Sequence, residues 1–224
     1  MILIDIGNTN IIFAVSSNNL INKIIRINTK QNKNELKTLI KNIIMDYLEI
    51  KKLDNRKVAI ISSVVPNLNS IITNILKKNL IKGMIIKSKD IIPFLKIKYN
   101  LEEIGADRLA NSIAIIKNKI NNSIVIDFGT ATTFEVIKNN IFLGGIIFPG
   151  INLSKNSLIN SASLLENTEV MKTNKVVANN TKQSIQSGFY WGYLLAINGL
   201  IKKISNENKF KPKIILTGGL ANIF

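Results

Sequence analysis

Short β-branched runs alternate along the chain with longer stretches of helical periodicity. Ile2 to Asp5 and Ile11 to Ser16 flank a Gly-Asn-Thr turn and predict a hairpin, with Leu20 to Ile27 as a third strand. Lys33 to Glu49 carries Leu36, Leu39, Ile40, Ile43 and Ile44 at helical spacing. Val58 to Ile61 reads as a buried strand, and Asn67 to Lys78 as a helix entered through Pro66. Gly105 to Ile120 predicts a helix with Leu109, Ile113 and Ile116 on one face. Ile124 to Asp127, Thr132 to Ile137 and Ile141 to Phe148 are three further strands. Thr181 to Ile204 predicts a long helix, and Lys213 to Leu216 a final buried strand before Gly218-Gly219.

This pattern contains a repeat. Asp5-Ile6-Gly7-Asn8-Thr9 leads into a strand containing Phe13, and Asp127-Phe128-Gly129-Thr130-Ala131 leads into a strand containing Phe134. Both copies have the order strand, Asp-x-Gly turn, strand. The expectation is two similar α/β lobes, residues 1–118 and 119–224, joined through the polar Asn118 to Asn122 segment as a hinge.

Composition changes the picture mainly by exclusion. The 224 residues carry a formal charge of +16, which raises the question of nucleic acid. Yet the basic residues are 27 Lys and only 3 Arg, and Ile, Lys and Asn together make 103 residues, a bias expected of an AT-rich genome. Base recognition leans on the bidentate guanidinium. The charge therefore reads as background, and no nucleic-acid partner is expected. The sequence holds no Cys and no His, which removes thiolate and imidazole catalysis and the usual zinc ligands. Carboxylates, hydroxyls, Lys, Arg, backbone amides and oxygen-bound metal remain, a set suited to phosphoryl transfer. No uninterrupted apolar run approaches the ~20 residues of a membrane span. The start, Met1-Ile2-Leu3-Ile4-Asp5, lacks a basic n-region. No membrane association is expected, and the expected location is the cytoplasm.

The candidate chemistry lies in the turns. An Asp ending a buried strand presents its carboxylate at the sheet edge. Gly7 permits a tight turn, and Asn8 and Thr9 add donors, so Asp5 to Thr9 can cradle a phosphate and a hydrated Mg²⁺. The second copy, Asp127 to Thr132, suits the same nucleotide triphosphate. Gly144-Gly145 and Pro149-Gly150 bracket a strand and read either as two plain turns or as glycines that admit a ligand against the backbone. Thr217-Gly218-Gly219 would form a turn against an adenine. Gly105-Ala106-Asp107-Arg108 opens a helix: Asp107 would accept or orient a hydroxyl proton, and Arg108 would fork onto a carboxylate.

Taken in order, Asp5 to Thr9, Gly105 to Arg108, Asp127 to Thr132, Gly144-Gly145 through Pro149-Gly150, Thr181 with Gly188, and Thr217 to Gly219 resemble the type III pantothenate kinases across essentially the whole chain. The resemblance implies an α/β fold of two actin-like (ribonuclease H-like) lobes with a cleft between them. It implies ATP-dependent phosphorylation of pantothenate, the first step toward coenzyme A. By the same resemblance Asp5, Ile6, Gly7, Asn8, Thr9 and Asn10 bind ATP phosphates, with Mg²⁺ held through water at Asp5, and Thr130 contacts ATP. Asp107 is the proton acceptor, and Tyr99, Gly105, Ala106, Asp107, Arg108 and Thr181 line the pantothenate site. Asp127 is the position of a monovalent cation, K⁺ or NH₄⁺, and the family is homodimeric. Arg108 is left with two roles, pairing with substrate or stabilising the transferring phosphoryl group. Two departures stand out: no Pro follows Tyr99, and the chain ends at Phe224, before a helix that the family packs on the second lobe, so it is expected to be truncated there. The alternatives are another small-molecule kinase of the superfamily and a catalytically silent regulatory relative.

Overall fold

The computed structural model describes residues 1–17, 20–30, 32–50, 57–162 and 165–224. They divide into two compact units. The first comprises Met1–Ile91 with Leu101–Ala110, and the second Ile92–Asn100 with Asn111–Phe224.

The first unit is a five-stranded sheet with helices α1 (Lys33–Ile50) and α2 (Pro66–Lys78). Its strands are β1 (Ile2–Ile6), β2 (Asn10–Ser17), β3 (Leu20–Asn28), β4 (Val58–Ser63) and β5 (Lys82–Ile85), in the order β3-β2-β1-β4-β5. β1, β2 and β3 pair antiparallel through short turns, whereas β1–β4 and β4–β5 are parallel. Parallel pairing needs a crossover, and α1 and α2 supply the two. Alternation along β1 and β4 sends Ile2, Ile4, Ile6, Ala59 and Ile61 to one face. There they meet Leu36, Ile40 and Ile44 of α1 and Leu68, Ile72 and Leu76 of α2. Each such Ile or Leu contributes roughly 1.5–3 kcal/mol of transfer free energy, so this face fixes the register of β1 and hence the place of Asp5. Pro66 starts α2, where its missing N–H has no helical partner to lose.

The second unit repeats that plan. Its strands are β6 (Lys96–Ile97), β7 (Ser123–Phe128), β8 (Ala131–Lys138), β9 (Ile141–Pro149) and β10 (Lys213–Gly218), in the order β10-β7-β8-β9-β6. β9-β8-β7-β10 reproduces β3-β2-β1-β4 in order and direction: two antiparallel pairs, then a parallel neighbour. Helix α3 (Ala106–Lys117) precedes β7, and α4 (Ile151–Ser161) and α5 (Thr181–Glu207) follow β9. Ile124, Ile126, Phe128, Phe134 and Val136 pack with Ile151 of α4 and Tyr193, Ile197 and Ile204 of α5. Phe224 stacks on Phe128 at a centroid distance of 5.0 Å and on Tyr190 at 5.9 Å.

Several expectations need adjustment. The compact units do not meet at 118/119. β6 pairs with β9 and carries residues 92–100 into the second unit, which also takes α3 from Asn111 onward. α3 stops at Lys117, because Lys119 adopts a left-handed φ of 57° that closes the helix end. β10 is an edge strand with Ile214 and Leu216 exposed, not a buried one. α4 was not expected at all. Only Ile151 and Lys155 of its Asn- and Ser-rich residues are buried, so it has almost no apolar stripe to detect. Among the described residues no helix is long and apolar enough to cross a membrane.

Candidate active site

Asp5 and Asp127 occupy equivalent places, each the penultimate residue of the strand that leads into its hairpin. In the first unit, Gly7 N–H donates to Asn10 O at 2.9 Å and closes the turn. Thr29, just beyond β3, clamps that turn twice: its hydroxyl donates to Gly7 O at 2.7 Å, and its N–H donates to Thr9 O at 2.9 Å. Asp5, Asn8 and Thr9 are left exposed. The sequence singled out the hairpin but not Thr29, whose position after a strand carries no signal. Thr29→Val removes only the hydroxyl bond. It is expected to cost about 1 kcal/mol and to weaken ATP binding severalfold, which urea unfolding and calorimetric titration would register.

The second hairpin is held from three sides. Gly129 N–H donates to Ala131 O at 3.1 Å. Asn111 of α3 donates from Nδ2 to Asp127 Oδ2 at 3.0 Å. Gly218, at the end of β10, has a φ of +92°, and a Cβ there would lie 2.6 Å from Asp127 Oδ1 and 2.5 Å from Phe128 N. Gly150, ahead of α4, approaches so closely that a Cβ would collide with Thr130 O. Three of the glycines singled out in the sequence are approached closely by the protein itself. Gly150 lies against the Thr130 backbone, Gly218 against the Asp127 carboxylate, and Gly144 under the Tyr99 ring, whose Cδ2 is 3.1 Å from the Cβ position. Thr130 itself is exposed. Asn111 was legible only as a polar residue inside a helix.

Gly105 leads into α3, and Asp107 sits in the first turn with Oδ1 accepting from Arg108 N–H at 2.7 Å. Val64, just past β4, packs against Gly105, its Cγ1 3.5 Å from the Cβ position. Arg108 is buried at 6% exposure, which a guanidinium tolerates only with partners. A polar cavity of about 420 Å³ opens here, bounded by Ser63, Lys87, Glu102, Glu103 and Gly105, a size suited to a small polar molecule. The first unit contains both Asp5 to Asn10 and Gly105 to Arg108. Tyr99, Asp127, Thr130 and Thr181 belong to the second. Tyr99 is 40% exposed and meets Phe142 edge-on at 6.1 Å. Thr181 is the exposed first residue of α5, capped by Asn180, whose side chain accepts from Gln183 N–H at 2.9 Å.

The donors around Asp5 are hard oxygens, and the described residues contain no cluster of three acidic ligands. That set fits a hydrated Mg²⁺ carried by phosphates better than an all-protein cage.

Two mixed sheets with a common strand order, each turning at an Asp-x-Gly hairpin, define the class: this is the actin-like ATPase fold. MreB5 of Spiroplasma citri, solved with ADP, superimposes with a TM-score of 0.53 at 13% identity, over 97% of this chain and 84% of that one. A Campylobacter jejuni protein described as a conserved Baf family transcriptional activator gives 0.59 at 24% identity, over 100% and 85%. Residues 1–203 match the family model for type III pantothenate kinase. A type III pantothenate kinase of Pelagibacter ubique is 38% identical over 223 residues, 98% of this chain and 87% of the relative. The chain belongs to the type III pantothenate kinase family.

Proposed function

We propose that this protein transfers the γ-phosphoryl group of ATP to pantothenate, giving 4′-phosphopantothenate and ADP in the first step of coenzyme A biosynthesis. The observation that carries the reading is an Asp in the first turn of α3, beside a polar cavity, in the same compact unit as an exposed Asp-x-Gly-Asn-Thr hairpin. Asp5 to Asn10 hold the phosphates and, through water, Mg²⁺; Thr130 contacts ATP. The metal supplies neutralisation of phosphate charge. Gly105 to Arg108, Tyr99 and Thr181 bind pantothenate. Asp107 orients the primary hydroxyl and accepts its proton as the oxygen bonds to the γ-phosphorus. The bond from phosphorus to the β,γ-bridging oxygen breaks, and ADP leaves. Asp127 binds K⁺ or NH₄⁺. Asn111 holds one of the Asp127 oxygens, and a glycine at position 218 leaves the other clear of any side chain there, which suits a carboxylate that serves an ion. The working form is a homodimer.

The test is ADP release with ATP and Mg²⁺, comparing pantothenate with a panel of hydroxy acids, in K⁺ and in Na⁺. Turnover is expected with pantothenate alone, and several times faster in K⁺. Preference for another acceptor would point to a different kinase of the fold, and no turnover with any acceptor would point to a silent relative. Equal rates in the two salts would remove the Asp127 assignment.

A further inference from the structure

Ser62 faces the same way as Asp5. The two are in-register partners across the parallel β1–β4 pair, so their side chains leave the same face on strands about 4.8 Å apart. The opposite face carries Ile4, Ile6 and Ile61 into the core. Ser62 is 9% exposed, and its Oγ has no hydrogen-bond partner among the described residues. A buried hydroxyl without a partner loses its hydration for nothing in return, unless a partner arrives with a ligand. Its neighbours are otherwise accounted for. Ser63 Oγ accepts from Val65 N–H at 3.2 Å, Val64 N–H donates to Ile6 O at 3.0 Å, and the Val64 side chain covers Gly105, two residues before Asp107. Ser62 thus lies on the strand joining the Asp5 hairpin to the start of α3. The second unit repeats the arrangement: Asp127 has Thr217, again a hydroxyl residue, as its parallel partner on β10.

We propose that Ser62 is a further binding residue for the metal-bearing phosphates: its Oγ bonds a water of the hydrated Mg²⁺ that Asp5 holds. This rests on the reading of the Asp5 hairpin as the ATP phosphate site. A hydroxyl serving that cluster would matter to ATP only when the metal is present, and would matter little to the free protein.

Three measurements on Ser62→Ala and Ser62→Thr test it, none requiring turnover. Calorimetric titration with ATP in Mg²⁺ should show the Ala variant weakened about tenfold, the scale of one hydrogen bond to a charged group. Titration with ATP in EDTA should show Ala and parent alike. Thermal melting of the free Ala variant should match or exceed the parent. Ser62→Thr, which keeps the hydroxyl, should bind ATP with Mg²⁺ nearly as the parent does. An Ala variant that binds as the parent in Mg²⁺, or is weakened equally in EDTA, overturns the proposal, as does one that melts lower when free. A parent protein that does not bind ATP with Mg²⁺ sinks the reading of the hairpin itself, which is a separate result.

Discussion

Asp107→Asn is expected to lower kcat by roughly 10²–10⁴-fold, the contribution of a positioned general base. On the barrier this amounts to about 3–5.5 kcal/mol. The substitution is nearly isosteric. Asp107 Oδ1 accepts from Arg108 N–H at 2.7 Å, and the amide oxygen of Asn accepts the same bond. The helix start is therefore preserved, and the loss falls on proton acceptance alone. ATP binding is expected to be unchanged, because the hairpin from Asp5 to Asn10 is closed by its own bonds and by Thr29, none of which involves α3. The decisive comparison is ADP release against calorimetric ATP affinity on the same preparation. Turnover within severalfold of the parent would remove Asp107 as the base. A parallel fall in ATP affinity would mean that the residue shapes the nucleotide site as well.

What the sequence made legible follows from where the physics is local. β1, β2, β7 and β8 were readable because β-branched runs flank a turn that only a few residues can make. The long helix from Thr181 was readable as a single stretch to Ile204. α4 was not, since its burial rests on Ile151 and on Lys155, whose Nζ donates to Thr168 O at 2.8 Å and Asn167 Oδ1 at 3.1 Å. One member of the Lys surplus assigned to background is thus a buried tie, and no compositional argument separates it from the other 26. The site divides along the same line. Asp5, Asp107 and Asp127 stood out through their motifs. Thr29, Asn111 and Ser62 did not, because each lies beside a residue distant in the chain, a neighbourhood that exists only once the chain has folded. The glycines were noticed for close backbone approach, and at Gly144, Gly150 and Gly218 a group of the protein itself makes that approach.

Gly150→Ala tests how rigid that approach is and carries the largest structural effect expected here. The backbone at Gly150 has φ −73° and ψ 147°, which alanine adopts freely, so torsional strain is absent and any effect is steric. The added methyl would collide with Thr130 O and lie 2.6 Å from Thr130 C and 2.8 Å from Gly129 O. All three obstructing atoms are backbone and cannot rotate away. Either the turn at Gly129-Thr130 moves or the start of α4 does. Overpacking of this kind costs about 3 kcal/mol when the obstacle is rigid. Because Thr130 is the residue proposed to contact ATP, the urea midpoint and the ATP affinity should fall together. Gly188 supplies the control. It lies within α5 with nothing within 4 Å of its Cβ position, so Gly188→Ala should leave ATP affinity alone and raise stability by up to about 1 kcal/mol, the helix-propensity difference. A Gly150→Ala protein with the parent's midpoint would mean that the second hairpin yields easily. The tight approach would then be a consequence of packing, not the constraint that sets the position of Thr130.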